Sequence, residues 1–225
     1  MDITLDKRKM IRFLVFSALV LIVIHIIILI IYYNVGDPDK FDFIRMFDLD
    51  MERNVPTLFS SLILAMSAFC FYLLANNVSE IAQKKRPYWL GLSAVFIFLS
   101  FDESAKIHEN LGDYTEQFVE ASGYLHYPWV ISYSILVLIL GALYIKFFWK
   151  MERKIFLSFM LSAFMFLSGA IGFELLGAKE SSLNGTESLL YSVFYTIEES
   201  LEMFGVIYLL WILLTLLEKK KIEVK

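Results

Sequence analysis

The stretch FLSFDESAKIHENLG places Asp102, Glu103, His108 and Glu109 at the far end of an apolar run. A carboxylate held near hydrocarbon is costly, so it persists where it pairs, binds a cation or faces a wet cavity. A second stretch, YTIEESLEMFG, brings Glu198, Glu199 and Glu202 together. Residues 198 and 202 are four apart and residues 199 and 202 three apart, so all three line one broad helical face with Tyr195. On a continuous helix Asp102 and Glu109, seven apart, share a face, and His108 lies on its flank. Like charges this close destabilise one another unless protonated or bridged, and a divalent cation is the commonest bridge. Carboxylates with one or two imidazoles suit iron, manganese or zinc; an all-oxygen subset suits calcium or magnesium. The candidate metal ligands are Asp102, His108, Glu109, Glu174, Glu198 and Glu202, with Glu103, Glu199, His25 and Tyr195 as further candidates. No residue is singled out as catalytic.

The elements that must position these groups are membrane helices. Hydrophobic residues make up 58 % of the 225-residue chain, which reads as one all-α, polytopic transmembrane domain over residues 1–225. Apolar windows predict about six spans, at 11 to 33, 56 to 76, 88 to 110, 128 to 149, 155 to 177 and 188 to 217. Pro56, Pro87 and Pro128 each stand at a predicted helix start, where a missing N–H costs nothing. The run after Lys7, Arg8, Lys9 and Arg12 is too long for a signal h-region and lacks a small-residue cleavage site, so it reads as a retained span. Basic residues fall at the start, around Lys84 to Arg86, from Lys146 to Lys154, and from Lys219 to Lys221. By the positive-inside rule both termini are then cytoplasmic, in a multi-pass protein of the cell membrane. The acidic connection containing Asp37, Asp39, Asp42, Asp48, Asp50 and Glu52 faces outward. Its part from Phe41 to Met51 reads equally as an interfacial amphipathic helix or as a solvated loop.

A rise of about 1.5 Å per residue then gives depths. Asp102 falls roughly 21 Å above the inner edge, Glu109 roughly 31 Å, Glu174 roughly 28 Å, Glu202 roughly 24 Å, Glu198 roughly 30 Å and His25 roughly 21 Å. Ionisable groups of four spans converge on one layer in the outer third. The tetrad Glu-x-x-Gly recurs there, at Glu109 to Gly112, Glu174 to Gly177 and Glu202 to Gly205, and glycine a turn from the acid admits a close neighbour.

Plainer roles compete for the same residues. Glu103, Lys106, Glu116 and Glu120 read as headgroup-level charges, and Lys106 as a counter-charge for Asp102 or Glu109. His126 beside Tyr127 and Trp129 fits an aromatic interface belt, and Cys70 is a small core residue. Scattered Lys and Arg exclude a nucleic-acid face. The order Ser100, Asp102, His108 is faintly similar to the ceramidase and adiponectin-receptor group of intramembrane zinc hydrolases. The three histidines do not complete that family's set, and the resemblance is not adopted. Three classes of function stay open: a metal-dependent enzyme acting on a lipid-like or small substrate, cation or proton translocation, and a sensor or assembly protein stapled by an ion cluster. An off-centre acidic layer without proline inside any span argues against translocation. A channel lined by Ser60, Ser61, Ser93 and Ser100 is left open.

Overall fold

The computed structural model describes residues 6–35, 45–76 and 85–223. Among these residues the structure is helical with no strand. In chain order come α1 (Lys7–Val35), α2 (Val55–Asn76), α3 (Arg86–Ala105), the short α4 (Ile107–Thr115), a 3-10 turn (Gly123–Leu125), α5 (Trp129–Trp149), α6 (Arg153–Leu167), a π-helical segment (Ser168–Phe173), α7 (Glu174–Asn184) and α8 (Leu189–Glu223).

Among the described residues, five helical stretches are long and apolar enough to cross a membrane: Lys7–Asn34, Val55–Asn76, Trp129–Trp149, Arg153–Asn184 and Leu189–Lys219. The expected count was about six. The remaining helix, α3, has a 20-residue length that suits a span. Its apolar character is diluted by Pro87 and Tyr88 at one end and by Asp102 and Glu103 at the other. Side chains such as Phe13, Phe16, Ile30, Leu138 and Leu143 stand exposed on α1 and α5. A run of bare hydrocarbon of this extent is costly against water and natural against lipid.

The largest departure from the sequence reading lies in the expected span 88 to 110. It breaks at Lys106, which takes a left-handed conformation at φ 57° between α3 and α4. Asp102 makes the break possible. Its carbonyl accepts the Lys106 N–H at 2.8 Å, and its carboxylate accepts the His108 N–H at 2.7 Å, satisfying one of the orphan donors at a new helix start. Asp102 and Glu109 therefore do not ride one continuous face. The fifth expected span, 155 to 177, instead continues to Asn184 through the π-helical segment.

α8 is the axis of the bundle. Met203, Val206, Ile207, Leu210 and Leu213 are buried along it against α1, α2 and α6. α2 and α3 form the closest pair, joined by a serine seam: Ser61 Oγ–H donates to the Ser100 carbonyl at 2.8 Å, Ser100 Oγ–H to the Ser61 carbonyl at 2.9 Å, and Ser93 Oγ–H to the Ala68 carbonyl at 2.8 Å. Such hydroxyls satisfy themselves on a neighbouring backbone and let two helices approach closely. Toward the end that holds the α5–α6 connection the packing is aromatic. Trp89 lies 5.9 Å from Phe71, 5.0 Å from Phe147 and 6.4 Å from Phe159, ring centre to ring centre.

The acidic connection before α2 folds as a series of turns over residues 46–54. The Asn54 amide N–H groups donate to the carbonyls of Asp48 and Met51, and its Oδ1 accepts the Thr57 N–H, capping α2. Residues 41–44 of the expected amphipathic helix lie outside the described residues, as do Asp37, Asp39, Asp42 and Lys84.

Candidate functional site

One cavity of about 490 Å³ opens at the acidic end of the bundle. The turns before α2 contribute Asp50 and Glu52; α3 contributes Asp102 and Glu103; α4 contributes His108, Glu109 and Asp113, with Glu116 just past its end. α7 contributes Glu174, and α8 contributes Glu198, Glu199 and Glu202. The wall is completed by Tyr127, Trp129, Tyr133, Tyr191 and Tyr195, and its inner end is apolar, with Leu64, Leu99, Phe166 and Ala170. All six expected ligands, together with Glu103, Glu199 and Tyr195, border this one space.

His25 does not. It is fully buried on α1, with Nε2 3.1 Å from the Thr196 hydroxyl and Nδ1 accepting the Leu49 N–H at 3.2 Å, beside an Asp48 oxygen at 3.2 Å. Because Thr196 passes its own hydrogen to the Ser192 carbonyl at 2.6 Å, the hydroxyl is free to accept from Nε2–H. That leaves Nδ1 as the acceptor for Leu49. His25 is thus the pin that holds the turns before α2 on the bundle, and those turns carry Asp50 and Glu52 into the cavity.

The mouth is organised around His108. Its Nδ1 lies 3.3 Å from Asp102 and its Nε2 3.5 Å from Glu52. A carboxylate behind one ring nitrogen fixes orientation and tautomer, leaving the other nitrogen to face the site, as second-shell carboxylates do for metal-bound histidines. The Trp129 ring packs 4.8 Å from the imidazole and holds it in place. Among the described residues, Glu52, His108 and Glu109 form a group that offers three ligand atoms within 4.8 Å of one another. Lys106, on the strained residue between α3 and α4, reaches the same place, with Nζ 2.9 Å from Glu52 and 3.0 Å from Glu109. The ion pair expected of Lys106 is therefore present with Glu109.

Deeper in the cavity, Glu174 accepts a hydrogen bond from the Trp129 indole N–H at 3.0 Å and lies against the Glu198 carboxyl. The π-helical segment just before Glu174 shifts the register of the long α6–α7 helix at this place. Such bulges commonly stand at functional sites. Gly169, within it, allows α8 to approach: a Cβ there would meet the Glu198 carbonyl oxygen at 2.6 Å and Glu202 Cγ at 2.8 Å. Gly205 does the same one turn inward, where a Cβ would meet the Phe166 nitrogen at 2.9 Å. Of the three Glu-x-x-Gly tetrads, this one makes a close backbone approach. Gly112 and Gly177 have only ordinary contact space, toward Trp129 and Tyr191.

Asp50 receives the Tyr191 hydroxyl hydrogen at 2.8 Å. Burial raises its carboxyl from the ordinary range to about 6, more than the tyrosine hydrogen bond can offset. Sequence reasoning passed over Asp50, Glu52, Trp129 and Gly169. The first two carried a usable signal, since they follow Leu49, an apolar residue able to turn inward from an otherwise acidic loop.

No curated protein and no solved structure matches the chain. Residues 6–217 match a family described as Domain of unknown function (DUF8692), and the chain belongs to that family.

Proposed function

We propose that this is a multi-pass protein of the cell membrane whose acidic cavity holds a divalent metal ion near the extracytoplasmic end. In this reading all the long apolar helices and α3 cross the bilayer with both termini cytoplasmic. The metal serves an enzyme acting on a lipid-like or small substrate. The observation that carries the reading is the triad at the mouth: Glu52, His108 and Glu109 present three ligand atoms within 4.8 Å, with Asp102 behind the imidazole.

Two carboxylates and one histidine suit iron, manganese or zinc, and leave coordination positions open toward the cavity. An ion held there would polarise a substrate oxygen or lower the pKa of water. Asp102 orients His108. Glu174, Glu198, Glu199 and Glu202 stand farther in, as groups to take up a proton or hold a second cation. The apolar inner end, with Leu64, Leu99 and Phe166, favours a substrate with a short hydrocarbon portion.

The translocation reading is less well supported. The hydroxyls of Ser61, Ser93 and Ser100 are spent on the α2–α3 seam rather than lining a path, and the cavity ends on apolar side chains. Metal analysis of the purified protein tests the reading. Stoichiometric iron, manganese or zinc is expected, with loss in His108→Ala and Glu109→Ala; equal metal content in all three proteins would refute it.

A further inference from the structure

Lys106 sets a cation of its own against two of the three residues of the mouth triad. Its ammonium lies 2.9 Å from a Glu52 oxygen and 3.0 Å from a Glu109 oxygen, and both residues belong to the triad. The two carboxylates come from different elements, one from the turns before α2 and one from α4. The ammonium therefore bridges the cavity mouth as a metal would.

We infer that Lys106 is a tethered competitor for the metal: its ammonium holds the site closed in the ion-free protein, and a divalent cation binds by displacing it. The inference rests on the metal reading above and specifies how that site is regulated. A divalent ion brings twice the charge and can take His108 as a third ligand beside the two carboxylates. It therefore wins at sufficient concentration, and Lys106 sets what concentration is sufficient.

The backbone supports this. Lys106 adopts φ 57°, a conformation natural for glycine or asparagine and strained for lysine. Relief would be available from a smaller residue with no ammonium. The long, flexible stem of this half-buried side chain can rotate at the break between α3 and α4, carrying the ammonium away from Glu52 and Glu109. The His108 imidazole stays where it is, held by Asp102 and Trp129. Opening thus rotates one side chain and breaks its two ion pairs, which the entering cation replaces.

The test measures Mn²⁺ binding to the full-length protein in nanodiscs by the electron paramagnetic resonance signal of the free ion. Wild type is compared with Lys106→Gln, Lys106→Gly, Lys106→Arg and His108→Ala. Lys106→Gly suits the left-handed backbone and so keeps the fold while removing the ammonium. Lys106→Gln and Lys106→Gly are expected to bind Mn²⁺ about tenfold more tightly than wild type, as for loss of a partly buried competing charge pair. Lys106→Arg should stay near wild type. If both neutral variants bind no more tightly than wild type while His108→Ala loses binding, the metal site stands and the competitor role is overturned. If wild type and both neutral variants bind no more Mn²⁺ than His108→Ala does, the metal reading falls and this inference falls with it.

Discussion

At the end of the bundle away from the cavity, the Trp89 ring lies near Phe71, Phe147 and Phe159, and Phe148 lies tilted 4.9 Å from Phe159, so rings from α2, α3, α5 and α6 pack together. At the cavity end the bundle meets through carboxylates, a histidine, a lysine and the Trp129 indole. Ring packing is short-ranged and fills space, so it fixes helix positions without needing any partner from outside. An array of acids does the reverse. It keeps space open, and its repulsion favours whatever positive charge enters. One short bundle thus keeps its helices in register at one end while the other end stays open to serve a site.

The aromatic end should carry the stability. Trp89→Ala removes the ring on which three other aromatic side chains converge, and a loss of about 3 kcal/mol is expected. Thermal unfolding in detergent or nanodiscs measures it. The metal bound per folded molecule should be unchanged; a Trp89→Ala protein with an empty site and an intact melting temperature would show that the two ends do not divide the work in this way.

Gly169→Ala should act on both properties at once. The added Cβ meets the Glu198 carbonyl at 2.6 Å, so α8 must move away from the π-helical segment. Overpacking of this kind costs about 1 to 3 kcal/mol. Since the displaced backbone carries Glu198 and Glu202, metal-dependent protection of α8 amides from hydrogen exchange should fall with it. Unaltered exchange on α8 would mean that this close approach does not shape the cavity.

Asp102→Asn is aimed at the cavity end alone. The amide is nearly isosteric, and its oxygen can still accept the His108 N–H that caps α4. What is lost is the negative charge behind Nδ1, and loss of such a partner lowers metal affinity by about 10- to 100-fold. The melting temperature of the metal-free protein should change little. A large loss of stability with intact Mn²⁺ binding would recast Asp102 as a purely structural cap.

The helices were legible in the sequence because hydrocarbon demands long apolar runs, and the runs ending near Asn76 and Trp149 end where the windows place them. The convergence of Asp102, His108, Glu174, Glu198 and Glu202 on one cavity was legible for a similar reason: depth along a helix is countable. Two things were not. Helical periodicity carried Asp102 and Glu109 across Lys106 as though the helix were unbroken, because no proline or glycine marks the break; the break depends on an aspartate side chain reaching forward to His108. The inward fold of the turns carrying Asp50 and Glu52 depends on His25, which is distant in sequence. A local pattern cannot register a contact between Leu49 and a histidine on another helix. His25 itself was read as a candidate ligand because an imidazole in an apolar helix demands partners, and the sequence cannot say whether those partners are a metal or a loop.

The smallest effect is expected at the seam between the two ends. Ser93 is buried on α3 and gives its hydroxyl hydrogen to the Ala68 carbonyl at 2.8 Å. Interhelical hydrogen bonds of this type within membranes contribute about 0.6 kcal/mol, because the carbonyl keeps its own helical partner when the hydroxyl is removed. Ser93→Ala should therefore shift thermal unfolding barely beyond error and leave Mn²⁺ binding at the mouth unchanged. The same variant also separates the two accounts of the cavity. If ions cross this bundle through a line of hydroxyls, proteoliposomes containing Ser93→Ala should lose cation flux relative to wild type. If Ser93 is only a stitch between α2 and α3, whatever flux the wild type shows will be retained. Loss of flux would connect the two ends by a conduction path and end their separation into scaffold and site.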